Sequence, residues 1–104
     1  MKSTLASRQL RAFAIVAKRR SYTRAARDLS VTQSTLSHAI QTLERTLGVQ
    51  LLAIIAGDMQ LTSSGRKILP HARKILGEMK KIQGHAARDS RVGAARPPRF
   101  QRAA

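Results

Sequence analysis

Residues 21–52 read SYTRAARDLSVTQSTLSHAIQTLERTLGVQLL, and the patterns in this segment predict the fold. Its second half carries leucine and isoleucine at spacings of four, three and four residues, which is one apolar face of a helix. These positions are Leu36, Ile40, Leu43 and Leu47. Thr32 stands where a hydroxyl can cap the first turn, and Gly48 stands where a glycine can end the helix. The pattern predicts a helix that follows Thr32 and ends near Leu47.

A shorter helix is predicted just before it, from about Tyr22 to Leu29, with Ser21 as its N-cap. Ser30 and Val31 leave room only for a tight turn between the two helices. Two helices joined in this way, the second polar on its outer face, are typical of a helix-turn-helix. In that motif the second helix places its N-terminal residues against base edges in the major groove of DNA.

The outer face of the second helix has side chains suited to base recognition. Glutamine can bond adenine twice, serine and threonine can bond several bases, and threonine offers a methyl group to thymine. An acidic residue would repel phosphate, and none lies between Asp28 and Glu44. The helix N-terminus adds a positive end. Residues 33 to 41 are therefore interpreted as a face that reads DNA.

Further elements are predicted on both sides of this motif. Residues 8 to 19 carry one apolar helical face. Its inward positions are Leu10, Phe13, Ala14 and Ala17, with Val16 at the edge. After Gly48, the mostly apolar run Val49–Ile55, a turn at Gly57–Asp58 and the segment Met59–Leu61 predict a small β-hairpin.

A long helix is predicted to follow, from about Ser63 to Arg88 with Thr62 as its cap. Pro70 inside it should remove a backbone hydrogen bond and kink the axis. An apolar seam with heptad spacing runs further along this helix than a small core could cover, which predicts pairing of two subunits. The seam consists of Ile68, Ala72, Ile75, Met79, Ile82 and Ala86. Residues 89–104 are predicted to form a disordered basic tail.

Composition limits the partners. Lys and Arg number 20 against five acidic residues, and the formal charge of +15 favours a polyanion, with nucleic acid first and an anionic membrane surface second. Three scattered aromatic residues argue against a module that stacks bases of RNA or single-stranded DNA. No run of 18 or more apolar residues is present, so no membrane span is expected.

Other functions fit the sequence less well. A basic amphipathic peptide at a membrane would carry Lys and Arg on the face 33 to 41, where only His38 is even partly basic. A nonspecific nucleoid or RNA-binding protein would need no uncharged face for base reading. The acid-free first 27 residues could be a mitochondrial transit peptide, but the first helix also accounts for them. No carboxylate pair, activated nucleophile or metal-ligand cluster emerges, so no enzyme activity, cofactor or metal is expected.

Over residues 7–76 the chain resembles the N-terminal DNA-binding domain of LysR-type transcriptional regulators. The matching motifs are SYTRAA at 21–26, LSVTQSTLS at 29–37, LE at 43–44, LGVQLL at 47–52, LT at 61–62, Gly65 and LPHA at 69–72. The resemblance implies a mainly α winged helix-turn-helix, with a small β-hairpin wing and a long C-terminal linker helix that pairs two subunits. The expected segments are a DNA-binding domain at 7–62, a linker and dimerisation helix at 63–88, and the basic tail at 89–104.

The resemblance also assigns roles to individual residues. Base reading falls to Gln33, Ser34, Thr35 and His38. Phosphate binding falls to Thr23, Arg24, Thr32 and Ser37. Dimerisation falls to Ile68, Ala72, Ile75, Met79 and Ile82. Together these expectations describe a sequence-specific transcription regulator, dimeric on double-stranded DNA, located in the cytoplasm on the nucleoid.

The chain departs from the family pattern in three respects. The family usually has arginines in the wing near positions 54 and 57, where this chain has Ile54 and Gly57, with Asp58 next. Position 38 is often arginine in the family, whereas His38 is shorter and less basic. The family continues into a domain that senses a small molecule, whereas here the resemblance fades after about Arg88. No small-molecule effector is therefore expected for this chain.

Overall fold

The computed structural model describes residues 5–92. In chain order its elements are α1 (Ser7–Arg19), α2 (Tyr22–Leu29), α3 (Gln33–Leu47), β1 (Leu52–Ile55), β2 (Asp58–Leu61) and α4 (Ser63–Val92). Helix α1 contacts α2, α3 and α4 and is therefore the central helix of the bundle. This architecture confirms the expected mainly α winged helix-turn-helix with a hairpin wing.

One apolar cluster joins all the helices to the wing. Its largest fully buried side chains are Phe13, Leu36, Ile40, Leu43, Leu51 and Val16. The cluster extends to Met59 in the wing and to Leu69 and Ala72 in α4. No polar or charged side chain is buried among the described residues. Because each large side chain contributes roughly 1.5–3 kcal/mol on burial, this cluster is the main source of stability.

The buried face of α1 is wider than predicted. Val16 is fully buried and not at an edge, and Ala12 is buried as well. Ala14 and Ala17, predicted to point inward, are only half-buried. A helix packed against three others is covered on more than one stripe, and a single spacing rule does not show this.

The predicted caps of the helix-turn-helix are confirmed. The Ser21 hydroxyl accepts a hydrogen bond from the Arg24 backbone N–H at 3.1 Å, and the Thr32 hydroxyl accepts one from the Thr35 N–H at 3.0 Å. Ser30 ends α2 in the left-handed region with a φ of 56°. The N–H of such a residue can donate to the last carbonyls of the helix, and the chain changes direction at that residue. This geometry produces the tight turn between α2 and α3.

The wing is a hairpin with a two-residue turn. Ile55 and Asp58 are the last paired residues, so the turn consists of Ala56 and Gly57 and lies one residue earlier than predicted. Both have positive φ, 54° and 79°, as a type I′ turn requires. Alanine rarely adopts this conformation, which is why the residue types pointed to the wrong pair.

Thr62 fastens the start of α4 to the segment before β1. Its backbone N–H donates to the Leu51 carbonyl at 3.0 Å, and its hydroxyl donates to the Gln50 carbonyl at 2.6 Å. The same hydroxyl accepts from the Gly65 N–H at 2.9 Å, which confirms the predicted cap. A Cβ at Gly65 would overlap the Leu51 carbonyl oxygen, so only glycine allows this close approach.

Helix α4 extends to Val92, four residues beyond the predicted end at Arg88. The four added residues, Asp, Ser, Arg and Val, carry only modest helix penalties. The tail expected from Asp89 onward is therefore helical at first, and residues 93–104 lie outside the described residues. Neither α4 nor any other helix within 5–92 is long and apolar enough to cross a membrane.

The predicted seam of α4 divides into two parts. Ala72 is buried in the chain's own core and Ile68 is half-buried against it, so these two are not free to pair subunits as expected. The reason is that the first half of α4 lies along α1. Beyond it, Ile75 is 45% exposed and Ile82 is 66% exposed. Only this second part offers an apolar surface to a partner.

Candidate nucleic-acid interface

The exposed face of α3 is polar and nearly uncharged. Its side chains recur every three or four residues, opposite the buried leucine and isoleucine stripe. They are Ser34, His38, Gln41 and Arg45, all exposed. This stripe presents hydrogen-bonding groups along its first turns and one cation at its end. Such a surface can form hydrogen bonds with base edges along its first turns, and its one cation lies at the far end.

A shallow cleft lies between this face and the start of α2. It is lined by Tyr22, Gln33, Ser34, Ser37, His38 and Gln41, and we call it the reading cleft. It contains three of the four side chains predicted to read bases and one of those predicted to bind phosphate. The structure therefore brings most of the predicted site into a single concave surface.

Thr35, the fourth predicted base-reading residue, lies on the other flank of α3. It lines a separate cleft with Arg8 and Arg11 of α1. Its hydroxyl oxygen accepts a hydrogen bond from the Thr32 hydroxyl at 2.9 Å. Its position in the sequence, two residues from Gln33, places it about 200° around the helix axis from that side chain. The structure therefore does not bring Thr35 together with the other three.

The predicted phosphate-binding residues surround two helix N-termini. Thr23 and Arg24 are exposed in the first turn of α2, and Thr32 is exposed at the cap of α3. The Gln33 side-chain nitrogen donates to the Thr23 hydroxyl at 2.9 Å, so the first turns of α2 and α3 lie side by side. Ser37 is half-buried within the reading cleft. Two adjacent helix N-termini form a surface that favours anions.

Tyr22 and Gln41 belong to the reading cleft but were not among the predicted site residues. Gln41 follows Ser34 by seven residues on the same stripe, so helical spacing could have identified it. Tyr22 is half-buried at the start of α2. Burial raises its pKa above the ordinary 10.0, and the charge of Glu44 raises the pKa further. Its hydroxyl is therefore neutral, and able to donate, at physiological pH.

Glu44 is the acidic residue of α3, and its carboxylate is turned towards the wing. One carboxylate oxygen accepts from the Leu51 backbone N–H at 2.8 Å and from the Leu52 N–H at 3.3 Å. Hydrogen bonds to a charged acceptor are stronger than neutral ones. Glu44 therefore positions the start of β1, and its negative charge is directed at two amides.

The wing carries an apolar tip and an acidic residue that is paired with the arginine at the end of α1. Ile54 is 66% exposed and Ile55 is 55% exposed. The Arg20 guanidinium donates to the Asp58 carboxylate at 3.3 Å and to the Met59 carbonyl at 3.4 Å. The arginine that reaches the wing is therefore bound by the wing's own acid.

Comparison with known proteins identifies the family to which this chain is similar. A family model for the bacterial regulatory helix-turn-helix protein, lysR family, matches residues 7–66. The probable cat1 operon transcriptional activator of Acinetobacter lwoffii is 42% identical over 81 residues, a match that covers 78% of this chain and 27% of that protein. The chain spans about a quarter of the length of the first curated relatives it matches.

Similar solved structures include a DNA complex and a longer protein chain. The BenM DBD in complex with catB site 1 DNA has a TM-score of 0.77 and 32% identity, over 83% of this chain and 97% of that one. A hydrogen-peroxide-bound mutant of Corynebacterium glutamicum OxyR has a TM-score of 0.79 and 34% identity, over 83% of this chain and 27% of that one. The family model covers more than half of the chain, and the fold agrees with it. The chain therefore belongs to the LysR family of bacterial regulatory helix-turn-helix proteins.

Proposed function

We propose that the chain binds double-stranded DNA sequence-specifically as a homodimer, with α3 in the major groove. The observation that carries this proposal is the reading cleft. A formal charge of +15 attracts any DNA, whereas the cleft offers neutral donors and acceptors. Phosphate contacts position a protein on DNA, and base contacts specify the sequence. The cleft has the chemistry for the second task.

In this proposal the residues predicted to contact DNA keep their roles, with two refinements. Gln33, Ser34 and His38 contact bases, and Gln41 extends their stripe. Thr35 contacts a base through its methyl group, which suits the methyl group of thymine. The phosphate contacts come from Thr23, Arg24, Thr32 and Ser37.

The homodimer is supported by the second part of the α4 seam. Ile75 and Ile82 are exposed and Met79 is half-buried, with a spacing of four and three residues. The chain's own core reaches along α4 only to about Leu76. An apolar helical stripe beyond that point is stabilised by a matching stripe from a second copy. Two copies would read two half-sites about one helical turn, or a multiple of it, apart. Such a DNA-bound regulator would act in the cytoplasm, on the nucleoid.

Binding titrations on a randomised DNA library test the specificity. We expect the selected site to bind at least about 10³-fold more tightly than a shuffled one. Gln33→Ala should lose roughly 1–3 kcal/mol for the preferred base pair at one position. Gln83→Ala, an exposed glutamine on α4, is the matched control and should change nothing. Equal losses on every sequence for Gln33→Ala would exclude base reading by this residue.

Analytical ultracentrifugation tests the dimer. The double variant Ile75→Asp, Met79→Asp should be monomeric and bind an operator with two half-sites far more weakly, because two acids would interrupt the apolar stripe. Lys74→Asp places an acid on another exposed face of α4 and should remain dimeric. A wild-type chain that stays monomeric at tens of micromolar would contradict this part of the proposal.

A further inference from the structure

The Gln33 side chain is held by a neighbouring helix. Its Nε2 donates to the Thr23 hydroxyl oxygen at 2.9 Å, and the two residues are ten positions apart. Both are exposed and stand in the first turns of α3 and α2. A free glutamine samples several rotamers and loses this freedom when it binds. The bond to Thr23 restricts the Gln33 amide before any DNA is present.

The Thr23 hydroxyl can form a second bond at the same time. As an acceptor for Gln33 it still has its own O–H to donate, and among the described residues this hydrogen is given to no other group. A phosphate oxygen is the acceptor that DNA offers beside the first turn of α2. A hydroxyl that donates to an anion becomes a better acceptor, so a phosphate contact would strengthen the bond to Gln33.

The Gln33 amide keeps the groups that recognise adenine. Thr23 takes one of its two N–H groups, and the other N–H and the carbonyl oxygen remain available. Adenine presents an acceptor, N7, and a donor, the N6 amino group, in the major groove, and glutamine can satisfy both together. The Thr23 bond therefore orients the amide without using the pair of groups that adenine requires.

We propose that Thr23 is a positioning residue for base reading: its hydroxyl, bonded to a DNA phosphate and to the Gln33 amide, orients Gln33 towards an adenine. This inference rests on the proposed function, because it requires α3 in the major groove of a specific site. It gives Thr23 a role in sequence preference as well as in affinity. Preference at one base pair thus depends on a residue that touches no base.

Titrations of four variants against a site varied at the Gln33 base pair test the proposal. Thr23→Val keeps the shape of the side chain and removes the hydroxyl. We expect it to weaken binding to every sequence and also to reduce the preference for adenine from roughly 5- to 150-fold to about threefold or less. Thr23→Ser should restore both properties. In a Gln33→Ala background, Thr23→Val should weaken all sequences equally.

Arg24→Gln separates a phosphate contact from a positioning role. It should weaken binding to all sequences and leave the base preference unchanged, because Arg24 makes no bond to Gln33. If Thr23→Val behaves in the same way, with the full preference retained, Thr23 is a phosphate contact only and the inference is overturned. A wild-type chain that prefers no sequence would overturn the proposed function itself.

A measurement on the free chain distinguishes failure of the Thr23 inference from failure of the proposed function. NMR relaxation of side-chain amide nitrogens can compare Gln33 with Gln41, which is exposed on the same helix. We expect Gln33 to be the more ordered of the two and Thr23→Val to remove the difference. Equal disorder of Gln33 and Gln41 in the wild-type chain would overturn the inference even where specific DNA binding is observed.

Discussion

Helix α3 and the wing are the two parts that a winged helix-turn-helix brings to DNA, and here they differ in chemistry. The α3 face is neutral and rich in hydrogen-bonding groups. The wing exposes Ile54 and Ile55, and its Asp58 binds Arg20. Neutral polar groups distinguish bases but attract phosphate weakly, and an apolar tip offers neither hydrogen bonds to bases nor charge to phosphate. Under the proposed function, this difference predicts that base recognition is concentrated in α3 and that attraction to DNA comes from cations elsewhere on the domain.

The largest effect is expected at Glu44, which joins the two parts. Glu44→Ala removes a charged acceptor from the Leu51 and Leu52 amides and should destabilise the fold by about 2 kcal/mol. Glu44→Gln keeps an acceptor and should lose less than half as much. Glu78→Ala removes an acid paired with Lys81 in an exposed i, i+3 bridge and should cost under about 0.5 kcal/mol. Urea unfolding measures all three, and equal stability of the two alanine variants would contradict the joining role of Glu44.

A cation added to the wing should give the wing an attraction to phosphate that it lacks, and so make its chemistry differ less from that of a DNA-binding surface. Ile54 is largely exposed, so Ile54→Arg should cost little stability. If the wing approaches phosphate, affinity should rise about fivefold for all sequences, equal to roughly 1 kcal/mol, and the slope of log affinity against log salt should steepen by about 0.9. Ile54→Gln, polar but neutral, is the control and should leave the slope unchanged. An unchanged slope for Ile54→Arg would show that the wing does not approach DNA.

A smaller gain in DNA affinity is expected when the ion pair between Asp58 and Arg20 is removed. Asp58→Asn removes a negative charge and releases Arg20, so affinity should rise by up to about threefold, while stability should fall by less than about 1 kcal/mol because the pair is exposed. Asp28→Asn is a matched control, since it also removes an acid and releases an arginine, Arg19, at a different place. Equal gains in salt-dependent binding assays would mean that only net charge matters.

The smallest effect concerns Tyr22 in the reading cleft. Its pKa is raised by burial, so the hydroxyl ionises first in the unfolded chain as pH increases. The stability linked to this group is complete below about pH 10 and is lost as pH rises through the folded pKa. Tyr22→Phe should therefore lose less stability than wild type as the pH rises above about 10. Parallel pH profiles in urea unfolding would contradict this.

The helix-turn-helix could be predicted from the sequence because its determinants are local. The caps at Ser21 and Thr32 and the apolar spacing of α3 act within a few residues. The wing turn at Ala56 could not be predicted, because alanine adopts a left-handed conformation there only under the constraint of strand pairing. The burial of Val16 and Ala72 depends equally on tertiary contacts, since α1 and α4 cover each other.

The cleft was partly predictable for the same reason. Ser34 and His38 share a flank because they are four residues apart on α3, but the contribution of Tyr22 requires knowledge of how α2 is placed against α3. The role of Glu44 was also hidden, because its partners are backbone amides that carry no signal in residue type. Caps and apolar spacing can be predicted from one sequence, whereas contacts between different helices and strands cannot.

Thr62 anchors one end of α4, a long helix that projects from the domain. The helix rises about 1.5 Å per residue, so its 30 residues form an arm of about 45 Å. A rotation of about 5° where Thr62 fastens this arm would move its far end by about 4 Å, given that length. The hydrogen bonds of Thr62 to Gln50, Leu51 and Gly65, together with the packing of α4 on α1, therefore set the direction of this arm relative to α3. In a pair of subunits joined along this arm, that direction would govern the distance between the two DNA-reading helices.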